Sequence, residues 1–394
     1  MSVRAALTAA FAALAAALGA RGAAQSEEYS AILDMLNSRA AGDVVRYEAS
    51  AETVAKGAKR GDPLMKFLLA LCARDAANPP RAARIPPEER DRLFAESKPV
   101  LENIAGRSSN PLVLYLLAME AKDGKLLEKA AELGNPQALN RMAAGIVADN
   151  PDTYPACETN AVLARACAMF RHAADMRDMN GLYNYGVCLN SGIGIKRDAE
   201  AAFNAFRTAA ELGHVDAMNN LGICYREGIH VAPDLKASAY WFRKAAGCGS
   251  ATGMLNYGWA LRKGEGVEKD DRQSALMIYK ASRMGHPDAQ NAWGMMLLEG
   301  VGIEREPEAA VRAFKASAGQ GCVQAMRNLQ TCYAEGLGVK ASASEALLWK
   351  MRADAACGDE VAAAWLAAEE GRGGNGGKAA DGAKPAPAAK GASK

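Results

Sequence analysis

The amino-acid sequence predicts an all-α fold, a right-handed α-solenoid built from stacked two-helix repeats of 36 residues. Three residue series that recur at this step carry the prediction. They are a glycine inside a helix, a glycine shortly after it, and a glycine at the junction between repeats. The series are Gly186, Gly222, Gly258 and Gly294; Gly192, Gly228, Gly264, Gly300 and Gly336; and Gly213, Gly249, Gly285, Gly321 and, after a step one residue longer, Gly358. A two-helix unit cannot bury its apolar faces alone, so the units must stack.

The first helix of each unit is predicted to begin after the junction glycine. Ala217, Leu221 and Cys224 show the helical spacing of apolar residues. Gly222 lies among them and costs about 1 kcal/mol of helix stability relative to alanine. Its recurrence in four units indicates that a neighbouring helix approaches closely. The helix should end at the Gly192-type glycine, which supplies a left-handed C-terminal turn without steric cost.

The second helix of each unit is predicted to open with an acidic residue, which suits the positive end of the helix dipole. These residues are Asp198, Asp234, Asp270 and Glu306. Apolar or aromatic residues and then small residues close the helix, as in Trp241-Phe242 before Ala245-Ala246. Each unit therefore consists of two helices joined by a short Gly-x-Gly loop.

One unit displays most of the pattern in order. It contains Ala217, Leu221-Gly222, Tyr225, Asp234, Trp241-Phe242 and Lys244-Ala245-Ala246. This pattern resembles the Sel-1-like repeat, a branch of the tetratricopeptide-type α-solenoids, over residues 178–358. The departures are Gln330 for the helix glycine, His230 for the second loop glycine and Arg177 for a junction glycine. The resemblance implies a scaffold that binds other proteins.

The ends of the chain differ from the repeats. Arg4, the apolar run 5–18 and Gly22-Ala23-Ala24 predict a signal peptide over 1–24, hence a periplasmic or secreted protein; an alanine-rich first helix is the alternative. Residues 25–60 are interpreted as a helical cap, 61–176 as divergent helical repeats and 177–370 as regular repeats. Residues 371–394 are rich in Gly, Ala, Pro and Lys and are predicted to be a disordered tail.

Composition and motifs disfavour several function classes. The balance of 47 Lys and Arg against 45 Asp and Glu is not that of a dedicated nucleic-acid binder or a polybasic membrane binder. The Gly-x-Gly loops join helix to helix and lack the third glycine of a dinucleotide fingerprint. The four histidines show no metal-ligand spacing, and Cys-x-x-Cys is absent from the sequence. We therefore predict no cofactor, no metal, no nucleic-acid partner, no transmembrane segment and no catalytic residues.

The cysteines recur at core positions of the repeat. Cys72, Cys188, Cys224 and Cys332 all follow their junction position by eleven residues, where other units place Ala260 and Met296. Buried thiols are therefore expected. Cys167 lies ten residues before the Arg177 junction and Cys188 eleven after it. Residues equidistant from the turn of a helical hairpin face each other, so a Cys167–Cys188 disulfide is predicted for an oxidising compartment.

The resemblance also implies that the first helices line a concave groove. Three rows should then point into it: Tyr183, Asn219, Leu255, Asn291 and Arg327; Val187, Ile223, Trp259, Met295 and Thr331; and Asn190, Arg226, Arg262 and Leu298. The predicted partner-binding residues are Tyr183, Asn219, Arg226, Trp259, Arg262, Asn291 and Arg327. The alternative is that Trp259 packs between helices and that the arginines are merely solvated.

These observations predict a non-enzymatic scaffold of the cell envelope that binds a protein or peptide in the groove. A weak cell-wall or β-lactam hydrolase is the first alternative, and a nucleophile with a strongly perturbed pKa in a closed pocket would favour it. An envelope polysaccharide- or peptidoglycan-binding protein is the second, which aromatic residues stacked along the groove would favour.

Overall fold

The computed structural model describes residues 44–75, 79–108, 110–151 and 160–373. These residues form eighteen α-helices and one short 3₁₀ helix, and this described part contains no strand. The all-α prediction is confirmed. The predicted signal peptide, residues 25–43 of the predicted cap and the tail from residue 374 lie outside the described residues.

The chain divides into two compact units. Unit 1 comprises Met1–Asp234 with Gly247–Ser250, and unit 2 comprises Leu235–Ala246 with Ala251–Lys394. The helices of unit 1 are α1 (Val44–Lys59), α2 (Pro63–Asp75), α3 (Pro87–Ser108), α4 (Pro111–Ala121), α5 (Gly124–Glu132), α6 (Pro136–Ala148), α7 (Ala161–Asp175), α8 (Met179–Ser191), α9 (Ala199–Leu212) and α10 (Val215–Glu227), with the 3₁₀ helix at Arg81–Ala83. Those of the unit 2 region are α11 (Leu235–Gly247), α12 (Ala251–Lys263), α13 (Asp271–Arg283), α14 (Pro287–Glu299), α15 (Pro307–Ala318), α16 (Val323–Glu335), α17 (Ala343–Ala356) and α18 (Glu360–Gly373).

Consecutive helices pack against each other within each unit, as expected for a solenoid of helical pairs. The first helices end as predicted. Gly192, Gly228, Gly300 and Gly336 adopt left-handed φ angles of 71° to 75° at the ends of α8, α10, α14 and α16. Arg177 (φ 59°) and His230 (φ 66°) adopt the same region although neither is glycine. The backbone path is therefore kept where the sequence departs from the repeat.

Acidic N-caps open two of the second helices. A carboxylate oxygen of Asp198 accepts a hydrogen bond from the Ala201 N–H at 2.9 Å, and Asp270 accepts one from Gln273 at 2.9 Å. Each bond satisfies an amide that the helix itself leaves unpaired. Glu306 precedes α15 without such a bond, and Pro307 in the first turn supplies no N–H.

The helix glycines allow the second helix of the same repeat to approach closely, which confirms that prediction for three units. A Cβ added at Gly186 would lie 2.8 Å from the Phe206 ring, and one added at Gly294 would lie 2.6 Å from the Phe314 ring. At Gly258 the obstructing side chain is Ile278, at 2.7 Å. A large buried side chain of the second helix occupies the space that each missing Cβ leaves.

Gly294→Ala is therefore expected to destabilise the protein even though alanine is the better helix former. Overpacking against the buried Phe314 lowers the free energy of unfolding by about 1–3 kcal/mol, whereas the higher helix propensity of alanine raises it by up to about 1 kcal/mol. Gly145→Ala in α6 is the matched control, because a Cβ there meets nothing within 4 Å. Thermal and denaturant unfolding should show a lower midpoint for Gly294→Ala and an equal or higher one for Gly145→Ala; equal midpoints would contradict the packing explanation.

The second glycine of each loop lies against the preceding repeat. A Cβ at Gly266 would overlap the Leu235 carbonyl at the start of α11, and a Cβ at Gly338 would overlap the Pro307 carbonyl at the start of α15. A Cβ at Gly302 would likewise overlap the Asp271 carbonyl, and a Cβ at Gly194 would overlap the Leu163 carbonyl. The Gly-x-Gly loops therefore bring successive repeats together.

Candidate functional site

The first predicted row of groove residues makes contacts between repeats. The Tyr183 ring stacks on His214 with centroids 4.2 Å apart and planes 18° apart. Asn219, only 4% exposed, donates from Nδ2 to the Ser250 hydroxyl at 3.1 Å. His214 and Ser250 each lie 31 residues after their partners, immediately before the first helix of the next repeat. The residue immediately before the next first helix therefore shields Tyr183 and Asn219 from solvent.

The prediction that Asn219 and Asn291 point outward is therefore wrong. Asn291 is 8% exposed, and its Oδ1 accepts a hydrogen bond from Asn328 Nδ2 at 2.8 Å. Arg327 is the exposed member of the row.

In unit 2 the structure brings two predicted partner-binding residues together. The Arg262 guanidinium lies 5.3 Å from the centre of the Trp259 ring, within the range of a cation–π interaction. Arg262 Nη2 also donates to Glu299 Oε2 at 2.5 Å, which links α12 to α14 one repeat later. Trp259 is half-buried and packs on a core cluster that includes Leu255 and Met296. The alternative that Trp259 packs between helices thus holds for the buried part of its ring.

The remaining candidates vary in exposure. In unit 1, Arg226 is half-buried and its Nε donates to Glu227 Oε1 at 2.9 Å. In unit 2, Met295 and Leu298 are half-buried and Thr331 is exposed. We define the first-helix surface of unit 2 by six residues: Trp259, Arg262, Met295, Leu298, Glu299 and Thr331.

Glu299 was missed by the sequence-based prediction. The signal available was its charge, opposite to that of Arg262 and 37 residues away, one repeat plus one residue. Such a pair is meaningful only once the repeats are known to stack.

Three buried groups have strongly shifted pKa values, and each serves a structural contact. Burial lowers the pKa of His214 to about 3; its Nδ1 accepts the Ala217 N–H at 3.3 Å as the N-cap of α10. Burial raises the pKa of Asp178 to about 6, against hydrogen bonds from the Gly181 and Asn180 amides. Burial is also the main cause that raises the pKa of Tyr183 to about 12.

The described residues contain no group of three or more His, Cys, Asp or Glu side chains that could hold a metal ion. Among these same residues, no helix is both long and apolar enough to cross a membrane.

Cys167 and Cys188 meet in one core cluster of unit 1, between α7 and α8. Both side chains are thiols in this structure. A hydrogen bond from the Cys188 thiol is the main cause that lowers the pKa of Cys167, with the Arg171 charge acting in the same direction against burial. The disulfide remains a prediction, now supported by this contact.

We expect mild oxidation of the full chain to join Cys167 to Cys188. A thiolate is the nucleophile of thiol–disulfide exchange, and the lowered pKa of Cys167 increases its thiolate fraction. Cys224 and Cys332 are internal controls, because burial raises the pKa of both thiols. Non-reducing peptide mapping after treatment with glutathione disulfide should find the Cys167–Cys188 peptide pair; recovery of both residues unlinked would refute the bridge.

Comparison with known proteins supports the repeat assignment. The family model of the Sel1 repeat matches residues 125–135, 180–214, 215–250, 251–286, 287–322 and 323–349. A Sel1 repeat protein from Oxalobacter formigenes is similar in structure, with a TM-score of 0.53 and 24% identity over 61% of this chain and 96% of that one. The protective antigen c5321 of uropathogenic Escherichia coli, which displays an SLR fold, has a TM-score of 0.53 and 25% identity over 82% of this chain and 67% of that one.

A comparison with curated proteins gave no match. The family matches lie where the structure has its regular helix pairs and left-handed glycine turns, and the shorter match at 125–135 lies within α5 and the turn after it. The predicted resemblance is confirmed: this chain contains Sel1 repeats.

Proposed function

We propose that this protein is a non-enzymatic scaffold of the cell envelope that binds a protein or peptide partner on its first helices. Sel1-repeat proteins generally act as protein-interaction scaffolds, and their fold is typically non-enzymatic. The envelope location and the binding surface are the specific parts of the proposal. The location rests on the sequence of residues 1–24. Intact mass of the protein from its native source should match a chain that begins near Gln25.

The Trp259–Arg262 pair is the observation that carries the choice of surface. Trp and Arg are the residue types most often dominant in protein interfaces. Glu299 and the cation–π contact hold the Arg262 side chain, so little rotamer freedom remains to be lost on binding. Half-buried Met295 and Leu298 supply apolar contact area beside this pair. The mixture suits a peptide segment with one apolar anchor and an acidic or carbonyl group.

Site-specific photo-crosslinking tests this surface. A photo-reactive amino acid in place of the exposed Thr331 is expected to capture a discrete partner in cells of the native source, identified by mass spectrometry. The same group in place of the exposed Glu200, on α9 of unit 1, should not capture it. Capture of the same proteins from both positions would show that contact with Thr331 is non-specific.

Arg262→Gln should then weaken capture at position 331 by about tenfold, the effect of a typical interface anchor. Lys263→Gln is the matched control: Lys263 is exposed, adjacent in sequence and paired only locally with Glu265 at 3.4 Å. Circular dichroism and melting temperature should agree for the two variants. If both variants capture the partner as well as the unaltered chain, the first-helix surface is not the binding site.

A further inference from the structure

The second helices of unit 2 carry large apolar side chains that are exposed beside basic ones. Tyr240 on α11 is 49% exposed, and Leu276 and Tyr279 on α13 are 47% and 40% exposed. Arg243, Lys244 and Lys280 on the same two helices are exposed as well. These six residues are termed the outer face. Positions 240, 243 and 244 correspond to 276, 279 and 280 one repeat later, so both helices present them at the same positions of the repeat.

The repeat itself does not demand this composition. The corresponding positions on α9, in unit 1, hold Asn204, Arg207 and Thr208. Arg207 bonds Asn204 on its own helix, at 3.0 Å. None of these residues is a large apolar side chain, although α9 has the same place in its helix pair. Tyr240 contacts the Trp241 ring and Tyr279 contacts the Trp293 ring, yet both tyrosines remain at least 40% exposed, so packing explains only part of this composition.

Charge on these helices is segregated along their length. Helix α11 has no acidic residue, and the acidic residue of α13, Asp271, lies in the first turn, away from Lys280 in the last. Helix α15 extends the positive charge with the exposed Arg312 and Lys315, and its acidic residue, Glu308, is again in the first turn. The outer face is thus positive, and Arg312 and Lys315 add positive charge at the same positions of the next repeat.

We propose that the outer face binds the surface of an anionic lipid bilayer, with Tyr240, Leu276 and Tyr279 at the level of the headgroups. Lys and Arg near an anionic membrane are attracted to it, and Tyr is enriched at the membrane interface. A protein partner fits less well, because Lys is depleted in protein interfaces and two of the three basic residues of the outer face are Lys. Here Lys and Arg border every apolar side chain. The near-neutral charge of the whole chain hides this local concentration.

Vesicle co-sedimentation of the full chain tests the proposal. The probes are vesicles of phosphatidylcholine alone and vesicles with equal parts of phosphatidylcholine and phosphatidylglycerol. We expect partition onto the anionic vesicles that falls with rising salt. The variant Lys244→Glu/Lys280→Glu should reduce it by about tenfold or more, since two attractive charges become repulsive. The lysines of residues 374–394 are the same in all variants, so differences between variants report on the outer face.

A second variant tests apolar contact. Tyr240→Gln/Leu276→Gln leaves the charge unchanged and should reduce partition several-fold, since it removes two of the three side chains that would enter the interface. The matched control is Arg207→Glu on α9, at the repeat position of Arg243, which should bind like the unaltered chain. Circular dichroism and melting temperature establish that each variant is folded.

Four results would overturn the proposal. The first is absence of partition onto anionic vesicles. The second is equal loss in Arg207→Glu and Lys244→Glu/Lys280→Glu, which would indicate general charge attraction. The third is unaltered partition of Tyr240→Gln/Leu276→Gln, which would show that these side chains do not enter the interface. The fourth is tight binding of soluble polyglutamate that the Lys244→Glu/Lys280→Glu variant loses, which would assign the face to soluble acidic partners.

Discussion

Gly338→Ala is expected to lower the free energy of unfolding by about 3 kcal/mol or more. Two costs add at this position. The backbone φ of 69° lies in the left-handed region, which alanine adopts at a cost of about 1–2 kcal/mol. A Cβ would also overlap the backbone carbonyl of Pro307, so the preceding repeat must shift.

Gly336→Ala in the same loop separates these two costs. Gly336 has nearly the same φ, 75°, but a Cβ there would meet its nearest neighbour, the Ala341 side chain, at an ordinary 3.5 Å. It should therefore lose only the conformational part. Denaturant unfolding followed by circular dichroism measures both. Equal losses for the two variants would mean that contact with the preceding repeat does not require the second glycine.

Acidification is expected to destabilise unit 1 through His214. Its pKa is about 3 in the folded protein against 6.5 for an exposed histidine, so between these values the unfolded chain binds a proton that the folded protein does not. Stability from this group is therefore present above pH 6.5 and is lost as the pH falls toward 3. The loss approaches about 4 kcal/mol, and its physical reason is that protonation would charge a buried ring and abolish the acceptor of the α10 cap.

Asp178 acts in the opposite direction. Its folded pKa of about 6 exceeds the ordinary 3.8, so the folded protein binds the extra proton and gains stability as the pH falls through this range, by up to about 3 kcal/mol. Melting temperatures between pH 7 and pH 4 should therefore fall more steeply in Asp178→Asn than in the unaltered chain.

His214→Asn should make the same pH dependence shallower or reverse it. Asparagine caps α6 at the corresponding place, where Asn135 Oδ1 accepts the Ala138 N–H at 2.7 Å. The absolute stability of the variant will fall because the stack on Tyr183 is lost, so the slope with pH is the informative quantity. An unchanged slope would show that His214 is not the titrating group.

The sequence alone determined the repeat, the bounds of most helix pairs and the need for its glycines. Local physical chemistry governs these features: apolar periodicity defines the helices, and left-handed turns select glycine at positions such as Gly192 and Gly336. The helix glycines were predicted to mark close approach, and Phe206, Ile278 and Phe314 are the side chains that approach.

Only the tertiary structure decided which first-helix residues remain accessible. Asn219 and Asn291 occupy positions that would face outward on an isolated helix pair, yet both are buried. A junction residue 31 positions later contacts Asn219, whereas Arg327 in the same row is exposed. A long-range contact of this kind, the ion pair between α12 and α14, also holds Arg262 against Glu299. Exposure in a solenoid depends on the following repeat as much as on the helix itself, because each repeat buries one of its faces against its neighbour.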